Sequence, residues 1–192
     1  EFITWEHPMV TESMEMVFSM DVGTTAIAAL QLKSIPAGTV IVECFFAIQC
    51  SAPKNLQINR FLPPTPIRVL LDSRGKDLSE VVSHEQLNKL TQHMKKSNRL
   101  AILKQIRSEL EKMIDIAQSQ ATSLSQPLMT EAERQVNVTI GGELDRLTEL
   151  RKLNGTIRDE EIHFMENRKT EALEHIANAS AELQAIRVLI NL

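Results

Sequence analysis

The sequence predicts an α+β domain: a small, mostly antiparallel sheet drawn from the N-terminal third and a C-terminal strand, carrying a long antiparallel helical hairpin. Three observations predict it. Prolines and glycines (Pro8, Gly23, Pro36, Gly38, Pro53, Pro63, Pro64, Pro66, Gly75) divide the first third into pieces too short for long helices. From His84 onward no glycine occurs before Gly141, and the apolar period changes from two to about 3.6. The last residues, IRVLINL (186–192), return to β-branched apolar character and predict a strand that closes the sheet.

In chain order, TESMEMVFSM (11–20) places Met14, Val17 and Phe18 at helical spacing behind a Thr cap and predicts a short helix. Thr24 to Leu32 fits a short strand or a helical turn, and the strand is the preferred reading. TVIVECFFAIQCSA (39–52) is apolar on both alternating faces, which predicts a central strand buried on both sides. Leu56 to Leu62 alternates Leu56, Ile58, Arg60 and Leu62 with polar neighbours, a further predicted strand. Pro63, Pro64 and Pro66 then prevent laddering and turn a corner, since proline donates no backbone hydrogen bond and forces its predecessor into extended geometry. Ile67, Val69 and Leu71 form the next strand, and Asp72-Ser73-Arg74-Gly75 a hairpin turn in which Gly75 supplies positive φ, with Lys76 to Ser79 returning.

The helical part begins with a stripe of Leu100, Leu103, Ile106, Leu110, Met113 and Ile114 on a helix predicted to end near Gln118. SQATSLSQP (119–127), polar and ending in proline, predicts a kink or break. A second stripe runs Leu128, Ala132, Val136, Ile140, Leu144, Leu147 and Leu150. Propensity alone makes VNVTIGG (136–142) strand and turn, but its apolar residues stay in helical phase, so one helix is expected through Gly142 with a soft turn at the glycine pair. Gly155 is expected as a left-handed C-cap, and Thr156 with Asp159 as a capping box opening the next helix. Ile162, Met165, Leu173, Ile176, Ala179, Leu183 and Ile186 mark that helix, giving two arms of about 27 residues and about 40 Å each. The chain thus divides as one C-terminal accessory domain, 1–192, with a sheet subdomain (1–83 and 185–192) and a helical part (84–184) containing the hairpin 127–184.

Composition sets the classes of function. With 192 residues, 43% of them hydrophobic, the chain supports one sizeable core, and a net charge of -4 from 21 basic and 25 acidic residues creates no global field for nucleic acid. No segment approaches the ~20 apolar residues of a membrane span. Cys44 and Cys50 fall on one extended segment roughly 20 Å apart, too far to bridge, and read as packing residues suited to a reducing cytoplasm. The chain opens at Glu1-Phe2-Ile3 without methionine, as a piece of a longer protein would.

No motif for chemistry emerges. Arg74-Gly75-Lys76 lacks the upstream glycine and the following hydroxyl of a phosphate loop. Asp159-Glu160-Glu161-Ile162-His163 resembles the acidic box of helicase-type ATPases, but it follows a helix cap instead of ending a buried strand, and acidic residues there answer the helix dipole. His7, His84, His93, His163 and His175 have no ligand partner at zinc spacing and are expected in solvent. No catalytic, cofactor-binding or metal residue is assigned. A basic cluster, Lys95, Lys96, Arg99, Lys104 and Arg107, is the candidate interaction surface, weighed against an ordinary solvated helix face.

WEHPMV (5–10), APK (52–54), NRFLPPTP (59–66) with Leu70-Leu71-Asp72, NGTIRDE (154–160) and AIRVLI (185–190) together resemble the C-terminal domain of the RapA family, the RNA polymerase-associated, SWI/SNF-type ATPases of bacteria. The resemblance is specific over the first 75 residues and looser between 80 and 140; the Ser-rich segment with Pro127 and the Gly141-Gly142 pair depart from it. It implies a parent protein that hydrolyses ATP with magnesium on two motor lobes, binds DNA and core RNA polymerase, and recycles polymerase in the bacterial cytoplasm, associated with the nucleoid through the polymerase. The ATP-hydrolysing residues have no matching positions here, so the resemblance implies a non-catalytic module with no cofactor of its own, packed on the parent's other domains and away from membranes. Two alternatives stay open: a small metal-dependent hydrolase using the acidic cluster near His163, and an independent nucleic-acid-binding module using Lys95 to Arg107.

Overall fold

The computed structural model describes residues 24–32, 35–94 and 96–192; the expected helix at 11–20 lies outside the described residues. Among the described residues five strands, β1 (Thr25–Leu30), β2 (Val40–Gln49), β3 (Pro66–Asp72), β4 (Thr91–His93) and β5 (Ser180–Asn191), form one sheet in the order β3-β2-β5-β1-β4. Three of the four pairings are antiparallel, and β1 with β5 is parallel. The architecture is therefore the expected α+β one. The C-terminal strand does more than close it: β5 takes the middle of the sheet, flanked by the interior strands β2 and β1.

Alternation along β2 divides the core. Val40, Val42, Cys44, Phe46 and Ile48 face a helical layer together with Ile67, Val69, Leu71 and Val188. On the opposite face Ile41, Leu70, Leu189, Ala28 and Leu30 pack with Leu78 and with Leu87 of a short helix, α1 (His84–Leu90). Ser83 caps α1 in a reciprocal capping box with Gln86. Buried Asn191 accepts from Leu32 N–H and donates to the carbonyls of Leu32 and Ile35, which fastens the loop after β1 to the end of β5.

The segment 56–62 is not a strand. It folds as two short 3-10 turns, Lys54–Leu56 and Ile58–Arg60, hinged at Gln57 with φ 53°. Alternation fails because Phe61 is buried beside Leu62 while Arg60 is exposed; the turns gather Leu56, Ile58, Phe61 and Leu62 into the core. The proline elbow then delivers Pro66 as the first residue of β3, an edge strand, where a missing backbone donor is tolerated. Gly75 adopts φ 76° in the following turn, as expected, and its N–H donates to Asp72 O.

The expected break after Gln118 does not occur. Helix α2 (Lys96–Val136) runs for 41 residues straight through Pro127. The reason lies in a stripe of Met113, Ala117, Ala121, Ser125, Met129, Ala132, Val136 and Ile140, all buried. Apart from buried Ser125 and half-buried Gln120, the polar letters of 119–127 occupy the exposed sides of this helix, and tertiary packing outweighs the hydrogen bond that Pro127 removes. A π turn (Asn137–Gly141) continues the helix into α3 (Gly142–Leu153), the soft point expected at the glycine pair. A side chain at Gly141 would meet Lys169, Cβ to Nζ 3.2 Å, so glycine admits the lysine that crosses this turn.

The reversal after α3 differs from expectation in its chemistry. Gly155 is not left-handed; Asn154 ends the helix in an extended conformation, and its Oδ1 accepts from Thr156 N–H and Oγ1. The Thr156 capping box does not form, because α4 (Asp159–Ala177) begins three residues later with Arg158 at its N-cap. Helix α4 also ends early: Ala179, Leu183 and Ile186, expected on its stripe, belong to the turn and to β5. Strand pairing of Ala181 with Ile48 and of Leu183 with Phe46 claims those residues for the sheet, which leaves α4 with 19 residues.

Candidate functional site

Of the predicted basic cluster, Lys104 and Arg107 lie exposed on α2, and Arg107 Nε donates to Glu111 Oε1 at 3.0 Å in an i,i+4 pair. Lys95 and the side chains of Lys96 and Arg99 lie outside the described residues. The acidic cluster near His163 is dispersed around the start of α4, successive residues turning by about 100°. Asp159 pairs with Arg151, Glu161 with Arg158 at 3.2 Å, and His163 Nδ1 with Glu166 at 3.0 Å. Among the described residues no group of three or more His, Cys, Asp or Glu is placed to hold a metal ion. No described helix is long and apolar enough to cross a membrane.

One polar constellation escaped the sequence reading. Glu43, fully buried in the middle of β2, accepts at Oε1 from Arg68 Nε at 2.7 Å and at Oε2 from Arg187 Nε at 2.7 Å. Strand register creates this: Arg187 lies directly opposite on β5, and Arg68 stands diagonally on β3, opposite Phe45. His84 of α1 stays exposed to solvent, as expected, yet brings Nδ1 to 3.0 Å from Glu43 Oε1 and sets its ring edge-on to Phe45. Arg187 Nη1 also donates to Asn88 Oδ1, and Arg68 Nη1 to Ser79 O. Burial pushes the Glu43 carboxyl up, but the hydrogen bonds from Arg68 and His84 and the charge of Arg187 together outweigh it and hold the group below its ordinary range. A buried carboxylate engaged on both oxygens by three side chains is a clamp joining β2, β3, β5 and α1. The signal was present in the sequence as single charges inside otherwise apolar strands: IVECF (41–45), IRVLL (67–71) and IRVLI (186–190).

Both cysteines are free thiols, Cys44 buried and Cys50 half-buried. Burial, aided by the Glu43 charge, pushes the Cys44 thiol up to about 12, and the Cys50 thiol donates to the His175 carbonyl at 3.1 Å.

Open surface is found at the far end of the hairpin. Helix α3 contributes no buried residue, and its main neighbours are α4 and the π turn. Between α3 and α4 lies an open cleft of about 340 Å³ lined by Leu147, Phe164 and Met165, with Arg158, Glu160 and Glu161 on its rim. Phe164 is 62% exposed, and the same end of the hairpin exposes Leu150 and, at 87%, Leu153. Phe164 and Leu153 stand off the apolar stripes that place their helices, which is why the helical period did not single them out.

Residues 1–191 match the model of the family described as RNA polymerase recycling family C-terminal. The chain belongs to this family. It is 37% identical over 190 residues to the RNA polymerase-associated protein RapA of Haemophilus influenzae strain PittEE, covering 99% of this chain and 21% of that protein. The RapA of Actinobacillus succinogenes is 37% identical over 191 residues, and that of Pectobacterium atrosepticum 33% over 190, each with 20% of its length covered. The chain thus spans about a fifth of the length of the curated relatives it matches, and the region matched is the family's C-terminal one.

Proposed function

We propose that this domain is a non-catalytic interaction module of an RNA polymerase-associated, ATP-dependent protein that returns polymerase to use in transcription. The observation that carries the reading is the arm: one helix is seated on the sheet by buried Ala117 and Ala121 and continues into α3, which has no fully buried residue. A rigid extension that contributes no core is suited to hold a contact surface at a distance from the body. The family match supports the polymerase connection, and the relatives carry it in their names. ATP and magnesium belong, in this reading, to motor domains elsewhere in the parent, against which this domain packs. The basic segment Lys95, Lys96, Arg99, Lys104 and Arg107 serves as a second contact, to an acidic partner surface or to DNA held by the parent; such a contact weakens with salt.

Two measurements on the purified chain test this. It is expected to hydrolyse no ATP with magnesium present, and to bind immobilised core RNA polymerase in biolayer interferometry. Turnover abolished by Glu160→Ala, or no binding to core polymerase, would overturn the reading.

A further inference from the structure

We infer that the cleft at the hairpin end is a docking site for a protein surface that presents an apolar side chain flanked by lysine or arginine. This deepens the proposed function and rests on it. Three properties of the cleft select that occupant. Its floor is apolar, Leu147, Phe164 and Met165, while neighbouring Leu150 and Leu153 stay in solvent, so an aliphatic or aromatic side chain removes water from both partners. The cleft is open and about 340 Å³, near the bottom of the range for enclosed ligand pockets, about 300 to 1,000 Å³, and therefore suits protruding side chains more than an engulfed small molecule.

Charge then decides between classes of macromolecule. From Glu143 to Glu166 the chain carries seven carboxylates against four lysines and arginines. All four cations are already paired within the hairpin: Arg146 with Glu143, Arg151 with Asp159, Lys152 with Glu149 and Arg158 with Glu161. Asp145 and the rim residue Glu160 have no ion-pair partner among the described residues. The uncompensated charge is negative, which repels a nucleic-acid backbone and a second copy of the same tip, and attracts a basic-apolar protein surface.

The test uses the chain with immobilised core RNA polymerase as the probe. Phe164→Ser is expected to weaken binding by about tenfold or more, as loss of a central apolar anchor does, and Leu153→Ser, beside the cleft, to weaken it by less. Glu160→Lys is expected to weaken it as well. Both apolar positions are largely exposed, so circular dichroism melting of each variant should match the parent chain and show that lost binding is not lost folding. Wild-type binding with both serine variants unchanged would overturn the docking site while leaving the interaction role standing. Tighter binding by Glu160→Lys would overturn the charge assignment. A concentration-dependent dimer in sedimentation, dissolved by Phe164→Ser, would assign the cleft to a second copy instead. Failure of the wild-type chain itself to bind core polymerase would remove the interaction role and this site together.

Discussion

Helices α2 and α3 form one nearly continuous rod, yet its two ends are built for opposite purposes. Along the sheet, α2 presents Ala117, Ala121 and Ser125 at spacing four, each almost fully buried, and small side chains let the helix axis approach the strands closely. Beyond the π turn, α3 presents Leu147, Leu150 and Leu153, larger and more hydrophobic, and buries none of them fully. The contrast shows that hydrophobicity does not locate the core of this protein. The small-residue end is held by geometry, because sheet and helix meet there; the leucine-rich end stays partly open because its main neighbours are only α4 and the π turn.

The sheet region supplies the largest expected effect. Glu43→Ala leaves Arg68 and Arg187, 19% and 15% exposed, clustered without their carboxylate. Removing one partner of a buried pair typically costs about 3 to 5 kcal/mol, and the residual exposure of the arginines places this case near about 3, read as a lowered urea midpoint. The pH dependence has a definite sign. Since Glu43 is held below its ordinary value of 4.5 in the folded chain, its contribution is present above about that pH. It drains as pH falls further through the folded value, and Glu43→Gln should flatten this acid limb of the stability profile. A midpoint unchanged by Glu43→Ala would show that the clamp holds register without stabilising the fold.

Overpacking the helix and sheet contact comes next. Ala121→Leu inserts a side chain where none fits and is expected to cost about 1 to 3 kcal/mol in the same assay. An unchanged midpoint would mean that α2 is not seated on the sheet as described. Pro127→Ala acts in the opposite direction. Proline inside a helix costs about 3 kcal/mol before relief by bending, and restoring the missing donor should raise stability by about 1 kcal/mol, seen as a higher Tm. A drop would mean that the proline sets a bend on which the sheet contact depends. The smallest effect belongs to the arm: Leu153→Ser should leave stability within about 0.5 kcal/mol by thermal melting, although it removes a large apolar side chain.

These pairs also show where sequence reasoning succeeded. Phase was a better guide than propensity across Val136, Ile140 and Leu144, where the chain stays helical despite its Val, Thr and Gly content, because a π turn absorbs the extra residue. Phase was under-used at 119–127: the small buried residues Ala121 and Ser125 were lost among polar neighbours, and Pro127 was given more weight than packing allowed. At 56–62 the period of two rested on Leu56, Ile58, Arg60 and Leu62, but Arg60 is exposed and buried Phe61, one step out of register, reported the 3-10 turns.

By itself the sequence determined the division into sheet and helical parts, the interior character of β2, the turn at Gly75 and the family, because these rest on local periodicity, turn chemistry and short motifs. Only the tertiary structure decided that β5 begins at Ser180 and lies at the centre of the sheet, that Pro127 is carried inside a helix, and that Glu43, Arg68, Arg187 and His84 meet. Each depends on a partner remote in sequence, up to 144 residues for Glu43 and Arg187, and no local propensity encodes which strands will be neighbours.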